Sequence, residues 1–231
     1  MNRQDVLTKQ KITIAIDGPA GSGKSSTARR VAEELGYLFL DTGAMYRSVT
    51  YLVLRNGADP ENVEASLEAA RAADIQFKRS AQGQRVILNG QDVTDVIRTP
   101  LVTENIAPIA ANPAVRDILV EKQREIGKNG GIVAEGRDVG TVVFADAELK
   151  VFMVASINER AKRREKELRA KGIPVDVEKL AENIRIRDKS DATREHGALK
   201  MAPDALRVDT SDLTFEEQVS FIFDQAKKRG A

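Results

Sequence analysis

Residues 18–25, with the sequence GPAGSGKS, constrain this chain more than any other stretch. They match the phosphate-loop pattern G-x-x-x-x-G-K-[ST], which needs a strand before it and a helix after it. The preceding run, residues 12–17, is apolar and rich in β-branched residues, as is typical of a buried parallel strand. The apolar residues of 25–35 recur on one helical face, and Gly36 is suited to ending that helix. This stretch therefore predicts a strand, an anion-binding loop and a helix in succession.

The chemistry of phosphate binding explains each part of the loop. Its glycines let backbone N–H groups approach an anion, and the helix that follows directs its positive N-terminal end to the same point. Lys24 is predicted to contact the β- and γ-phosphates as a mobile point charge, and the Ser25 hydroxyl to be a ligand of a magnesium ion. The alternative is a glycine-rich turn that binds nothing, which the complete order of strand, loop, Lys-Ser and helix disfavours.

Composition narrows the class of protein. The 231 residues are 42% hydrophobic and 31% charged, values that are typical of a globular chain. A formal net charge of +1 gives no global reason to expect a nucleic acid or an anionic membrane as partner. The absence of cysteine excludes disulfides and a cysteine nucleophile, and one histidine, His196, excludes a zinc cluster of several imidazoles. No apolar run approaches the ~18 residues of a membrane span, and residues 1–10 carry no apolar signal core.

Five apolar segments, separated by helical patterns, predict a doubly wound parallel α/β fold. They are residues 12–17, 37–40, 132–135, 150–154 and 206–209. A different pattern interrupts this order, because residues 75–78 and 85–88 alternate between apolar and polar side chains. Asn89-Gly90 follows the second of these, and this dipeptide is a strong signal for a two-residue hairpin turn. We therefore expect a small antiparallel sheet as an insertion in the α/β fold.

Arginines lie in the turns that follow two of the predicted strands. Arg47 belongs to residues 41–47, and Arg137 belongs to residues 136–141. Ligands gather beyond the carboxyl ends of parallel strands, so both turns are expected beside the phosphate loop. Arg116 is predicted in the first turn of a helix, where a cation opposes the helix dipole and therefore favours a binding role.

A third basic region, within residues 159–194, separates the fourth and fifth strands. One ATP molecule does not need this many cations, so we infer a second ligand that itself carries a phosphate. Arginine can bind such a group bidentately, which lysine cannot. The predicted reaction is transfer of the γ-phosphoryl group of ATP to a phosphorylated acceptor, with the basic region closing to exclude water.

Four motifs link the chain to a known family. They are residues 14–24 (IAIDGPAGSGK), 40–47 (LDTGAMYR), 136–144 (GRDVGTVVF) and 187–191 (RDKSD). Together they closely resemble the bacterial cytidylate kinases, and the resemblance runs over nearly the whole chain from Lys11 onward. It implies a P-loop NTPase fold and phosphorylation of CMP or dCMP by ATP, with Mg²⁺, to give ADP and CDP or dCDP. It also implies three parts: a core of residues 1–41, 98–157 and 195–231, an NMP-binding insertion of residues 42–97, and a lid of residues 158–194.

The resemblance further implies the residues of the site. ATP is expected to contact Gly18, Pro19, Ala20, Gly21, Ser22, Gly23, Lys24, Ser25 and Ser26. CMP is expected to contact Thr42, Tyr46, Arg47, Arg116, Arg137, Asp138, Arg187 and Asp191. The groups expected to neutralise the transferring phosphoryl group are Lys24, Arg160, Arg164, Arg187 and Arg194, and the expected protein ligand of Mg²⁺ is Ser25.

Within the CMP set, Thr42 and the pair Arg137-Asp138 are implied to recognise cytosine. Asp138 can accept a hydrogen bond from the exocyclic amine of cytosine, which uracil lacks. Its alternative role is structural, as a salt bridge to an arginine or as a turn cap. Thr42 stands where many relatives have serine, so the hydroxyl group is kept and only the fit around the ligand differs.

Other functions remain open at this point. A kinase for another nucleoside monophosphate such as UMP, or for a small phosphorylated metabolite, would share the fold and the loop. A non-catalytic ATP-binding regulator would leave the arginines unexplained, and a GTPase is excluded because the chain has no Asn-Lys-x-Asp segment. We expect ATP, ADP, CMP and dCMP as ligands, no nucleic-acid or membrane partner, a monomer, and a cytoplasmic location.

Overall fold

The computed structural model of the protein describes residues 11–80, 83–170, 172 and 174–231, so the first ten residues lie outside the described part. The strands in chain order are β1 (Thr13–Asp17), β2 (Leu38–Asp41), β3 (Ile75–Ser80), β4 (Gly83–Leu88), β5 (Gln91–Asp92), β6 (Ile132–Gly136), β7 (Leu149–Val154) and β8 (Leu206–Asp209). The α-helices are α1 (Lys24–Leu35), α2 (Thr42–Arg55), α3 (Val63–Ala72), α4 (Pro100–Glu104), α5 (Ile106–Ala111), α6 (Pro113–Gly127), α7 (Ile157–Ala170), α8 (Val177–Thr193) and α9 (Phe215–Lys228).

Five of the strands form one parallel sheet in the order β2-β6-β1-β7-β8, which confirms the predicted doubly wound α/β fold. β1 lies between β6 and β7, with Ile16 opposite Glu135 and Asp17 opposite Gly136. This register places the ends of β1 and β6 side by side. The phosphate loop and the turn that follows β6 therefore emerge at the same edge of the sheet.

The sheet is buried on both faces, as expected for parallel strands covered by helices. Successive residues of β1 point to opposite faces, so Ala15 belongs to one apolar core while Ile14 and Ile16 belong to the other. The core around Ala15 includes residues of α2 and α6, and the other core includes residues of α1 and α9. The two cores hold the strand ends rigidly, which is what a binding site at that edge requires.

The end of α1 and the start of α2 both have ordinary caps, and the first of these, Gly36, is the one that the sequence predicts. Gly36 ends α1 with φ 68°, and its N–H donates to the carbonyls of Ala32 and Glu33. Asp41 caps α2, because its Oδ1 accepts from the N–H of Ala44 at 2.9 Å. Both contacts are ordinary ways to satisfy backbone groups that a helix end leaves unpaired.

The remaining strands form the small antiparallel sheet, in the order β3-β4-β5. Asn89 and Gly90 have φ values of 49° and 81°, as the predicted hairpin turn requires. The sheet is not a separate body, because Val86 and Leu88 belong to the same apolar core as Ala15. Its β3–β4 hairpin also reaches the edge of the main sheet, where Gln84 donates to the carbonyl of Phe39 at 2.5 Å and Arg79 donates to the carbonyl of Tyr37.

Two charged helices, α7 and α8, follow β7 and precede β8 in the chain, and they pack against each other. They cover most of residues 158–194, the segment expected to be a lid. No helix in the described part of the chain combines the length and the apolar character that a membrane crossing needs.

Candidate active site

A cavity of about 310 Å³ opens at the edge of the sheet where β1, β2 and β6 end. Its walls combine the phosphate loop, the N-terminal half of α2, the turn after β6 and the C-terminal part of α8. A larger groove of about 980 Å³ runs along α6, but it includes no phosphate-loop residue and shares only Arg116 with the cavity. The phosphate loop therefore identifies the smaller cavity as the candidate site.

The phosphate loop has the geometry that its glycines predicted. A Cβ at Gly18 would lie 2.1 Å from the carbonyl oxygen of Met153, so β7 can approach the loop only because this residue has no side chain. Gly23 precedes α1 with φ 92°, a left-handed conformation that favours glycine. The start of α1 is thereby turned toward the cavity, with Lys24 and Ser25 on its wall.

Side chains support the phosphate loop, because five consecutive carbonyl groups accept hydrogen bonds from side-chain donors. The pairs are Gly18 with Arg137 at 3.1 Å, Pro19 with Lys24 at 3.4 Å, Ala20 with Arg160 at 3.1 Å, Gly21 with Arg163 at 3.4 Å, and Ser22 with Thr210 at 2.8 Å. The N–H of Ser22 donates to the carbonyl of Pro19 at 3.4 Å, and the other N–H groups of the loop are suited to an anion.

Glu135, the fourth residue of β6, joins the two functional side chains of the loop. Its Oε1 accepts from the Ser25 hydroxyl at 2.7 Å, and its Oε2 lies 3.6 Å from Lys24 Nζ. Burial and the nearby charge of Arg137 lower the pKa of Lys24 to about 8, while Glu135 acts in the opposite direction. Lys24 is therefore a buried cation in a site with a net excess of positive charge.

The start of α2 forms the next wall. The Thr42 hydroxyl donates to the carbonyl of Glu135 at 2.7 Å, which fixes α2 against β6. Asp41 uses Oδ1 to cap α2 and Oδ2 to accept from Arg98 at 2.8 Å, so Arg98 also lines the cavity. Arg47 donates to the Thr103 hydroxyl at 3.0 Å, and burial lowers its pKa.

Arg116 and Asp138 form a buried ion pair on the far wall, through Nη2 and Oδ2. Arg116 also donates to the Tyr46 hydroxyl at 3.2 Å. Burial raises the pKa of Tyr46 to about 12, so its hydroxyl stays neutral. A Cβ at Gly197 would lie 2.1 Å from the guanidinium carbon of Arg116, so the chain after α8 closes over this arginine.

Asp191, only 2% exposed, gathers three arginines from two parts of the chain. Arg137 lies 2.7 Å from its Oδ2, Arg194 lies 2.7 Å from its Oδ1, and Arg187 lies 4.0 Å from its Oδ2. Burial would raise the pKa of this carboxyl, but Arg137 above all holds it below the ordinary value. Arg187 is 43% exposed, and burial together with repulsion from Arg137 lowers its pKa to about 10.

The expected catalytic arginines do not all reach the cavity. Arg164, Arg187 and Arg194 line it. Arg160 is only 3% exposed, lies outside the cavity lining, and forms a bidentate pair with Asp188 while also donating to the carbonyls of Ala20 and Ala155. These partners hold Arg160 against the phosphate loop, and its expected role toward the phosphoryl group stays a prediction.

All eight residues expected to contact CMP line the cavity. Three charged residues in or beside the site are not among those predicted from the sequence. Glu135 and Arg98 line the cavity, and Asp17 lies directly before the phosphate loop. Glu135 directly precedes the GRD motif, so its position at the end of a strand was an available signal. Asp17 likewise ends a strand, directly before the phosphate loop, whereas Arg98 has no comparable signal.

The cavity wall has eight cationic and four carboxylate side chains, as expected for a ligand set of several phosphates. The family model described as "Cytidylate kinase" matches residues 14–228. The chain belongs to the cytidylate kinase family. Membership confirms the resemblance that the four motifs indicated.

Individual relatives in this family match over nearly their full length. The chain is 47% identical to "Cytidylate kinase" of Geobacillus kaustophilus, over 96% of this chain and 99% of the relative. It is 48% identical to "Cytidylate kinase" of Anoxybacillus flavithermus, over 93% of this chain and 95% of the relative. It is 49% identical to "Cytidylate kinase" of Bacillus cereus strain B4264, over 92% of this chain and 95% of the relative.

Proposed function

We infer that the chain is a kinase that transfers the γ-phosphoryl group of ATP to CMP and dCMP, with ADP and CDP or dCDP as products. One observation carries this conclusion: in a chain of the cytidylate kinase family, the phosphate loop and the arginine-bearing turns share one cavity. The relatives named cytidylate kinase support the same reaction.

The donor half of the site is the phosphate loop with Lys24, Ser25 and Glu135. Loop N–H groups and Lys24 hold the phosphates of ATP, with Lys24 closest to the β- and γ-phosphates. The donor set also suits Mg²⁺, which prefers oxygen ligands and keeps several waters, because a hydroxyl and a carboxylate lie 2.7 Å apart here. When bound, Mg²⁺ neutralises charge on the β- and γ-phosphates. We propose Ser25 as its direct ligand and Glu135 as the group that orients Ser25.

The acceptor half is built on α2, α6 and the turn after β6. Arg47, Arg98 and Arg137 all line the cavity, and they are the proposed ligands of the CMP phosphate because arginine binds phosphate bidentately. Asp138 recognises the base: among the described residues Arg116 engages its Oδ2, and its Oδ1 is available to the exocyclic amine of cytosine. Thr42, Tyr46 and Arg116 complete the wall on which the nucleoside lies.

The arginines of α8 act on the group in transfer. Phosphoryl transfer asks the protein mainly for positioning and for neutralisation of charge. Asp191 holds Arg137 and Arg194 in fixed directions and lies one helical turn from Arg187. Burial first, and repulsion from Arg137 second, lower the pKa of Arg187, and a bound polyphosphate would favour its charged form.

We further propose that residues 158–194 close over the bound nucleotides as a lid, with residues 42–97 as the insertion that carries much of the acceptor site. Closure of the lid excludes water, which would otherwise accept the phosphoryl group and waste ATP. Arg164, exposed on α7 and paired with Glu167 at 2.8 Å, is the lid arginine that can turn toward ATP. We also propose that the enzyme is monomeric and cytoplasmic.

The test of this function is ADP formation with CMP, dCMP, UMP and AMP measured side by side at saturating Mg-ATP. CMP and dCMP should stimulate ADP release strongly, and UMP and AMP much less. ATP binding without stimulation by any acceptor would point to a regulator, and a stronger response to UMP would assign another acceptor. Either result would overturn the conclusion.

A further inference from the structure

Asp17, the last residue of β1, is a buried carboxylate that the proposed mechanism does not use. It is 4% exposed and directly precedes the phosphate loop. Its two oxygens point away from the loop, since Oδ1 accepts from the N–H of Val139 at 2.8 Å and Oδ2 accepts from the N–H of Gly140 at 2.7 Å. Both partners begin the π-helical turn Val139–Val143 that follows Arg137 and Asp138.

The chemistry of this contact calls for a carboxylate. Two neighbouring N–H groups each need an acceptor, and only an ionised carboxylate offers an acceptor on both of its oxygens. An asparagine would place an NH₂ donor against one of the two N–H groups. Burial nevertheless disfavours the charge and raises the pKa of Asp17 to about 6, although the two N–H groups act in the opposite direction. The turn therefore needs an ionised carboxylate at a position where burial disfavours the charge.

A second contact independently ties the same turn to the same strand end. Arg137 donates through Nη1 to the carbonyl of Gly18 at 3.1 Å. The backbone of Gly140 also lies close to Asp17. A Cβ at Gly140 would lie 3.3 Å from Asp17 Oδ2 and 3.5 Å from two side-chain carbons of Lys150. The segment 137–140 is thus held to residues 17 and 18 at three points.

We propose that Asp17 is a positioning residue for the acceptor nucleotide. It fixes the turn that presents Arg137 and Asp138, and it therefore governs recognition of CMP although it adjoins the ATP loop in sequence. The inference rests on the proposed function, because it assigns Asp138 to the cytosine base. Its consequence is a separation of effects: disturbing Asp17 should impair use of the acceptor and leave use of ATP nearly intact.

The experiment compares Asp17→Asn, Gly140→Ala and wild type in steady-state kinetics with CMP, UMP and ATP. Asp17→Asn keeps the size of the side chain, and Gly140→Ala crowds the contact between the turn and Asp17, because its Cβ would lie 3.3 Å from Oδ2. Both should raise the KM for CMP by about tenfold to a hundredfold, as expected for misplaced binding groups, and reduce the preference for CMP over UMP. The KM for ATP should change by less than about threefold.

The matched control is Ile222→Val, which removes one methyl group from the core around α9 and lowers stability without touching the turn. It should leave both KM values and the CMP preference unchanged. Equal rises in the two KM values, a fall in kcat alone, or wild-type kinetics in both variants would overturn the inference. If Asp17→Asn does not fold, Gly140→Ala decides by the same criteria. Failure of the proposed function is separate, since it would appear as absent CMP phosphorylation in wild type.

Discussion

ATP binding should weaken as the pH rises through 8, because Lys24 gives up its proton in that range. Burial and repulsion from Arg137 lower the pKa of Lys24 to about 8 in the protein alone. A polyphosphate beside the amine favours the ammonium form, so the pKa rises when ATP binds. The complex then holds more protons than the separated partners, and linkage requires proton uptake on binding.

The magnitude follows from the pKa of about 8. About half of the Lys24 amines are neutral at pH 8 and about nine in ten at pH 9, so binding takes up about 0.5 and 0.9 proton respectively. Well above pH 8, each further unit weakens ATP binding by nearly tenfold, or about 1.4 kcal/mol. At pH 7 and below the affinity should be almost independent of this group.

Isothermal titration calorimetry at pH 8 and pH 9, in buffers of different ionisation enthalpy, measures this uptake directly. Lys24→Met is the control and should abolish the dependence on buffer. Arg187, with a pKa lowered to about 10, contributes only at the upper end of this range. Heats that are independent of the buffer at both pH values, or an equal uptake in Lys24→Met, would refute the reasoning.

Four substitutions give further predictions about the site and the stability of the fold. Glu135→Gln should raise the Mg²⁺ concentration needed for half-maximal rate by about 10- to 100-fold, without weakening ATP binding measured in EDTA, because it removes the charge beside Ser25. Asp138→Ala should raise the KM for CMP about tenfold or more and leave the KM for ATP nearly unchanged, and equal rises would contradict its role in base recognition. Arg187→Ala should lower kcat by about 10²- to 10³-fold, whereas an unchanged kcat would remove it from the transition state. Gln123→Met should raise the free energy of unfolding by about 1 kcal/mol in urea titrations, because both polar atoms of this buried amide lack hydrogen-bond partners among the described residues, and a loss of stability would refute this.

Local chemistry made much of the fold and site predictable. The phosphate loop, the five buried strands and the Asn89-Gly90 turn each depend on backbone conformations or on burial that short sequence patterns reveal. The arginine-bearing turns were located for a topological reason, because parallel strands bring their carboxyl ends together. That rule predicts Arg47 and Arg137 beside the phosphate loop, and both line the same cavity as Lys24 and Ser25.

Sequence patterns do not predict the contacts that depend on strand register or on the packing of helices. Glu135 reaches Ser25 because β6 pairs with β1 in a register that places Ile16 opposite Glu135. The contacts of Arg160 were equally inaccessible, because the family resemblance implies a role toward the phosphoryl group and not an ion pair with Asp188. The packing of α7 against α8 instead buries it against Asp188. A sequence motif shows which charged side chains are present but not the residues with which they form ion pairs.

The β3–β4 hairpin has a consequence beyond catalysis. β2 is an edge strand of the parallel sheet, and the carbonyl groups of Tyr37 and Phe39 are held by Arg79 and Gln84. Unpaired carbonyls on an edge strand can recruit a strand from another molecule, and covering them prevents such growth. The other edge strand, β8, spans four residues with exposed Arg207 and Asp209, a composition that also discourages pairing. The β3–β4 hairpin thereby covers this edge of the sheet, so a variant shortened in the hairpin should aggregate more readily than the wild type.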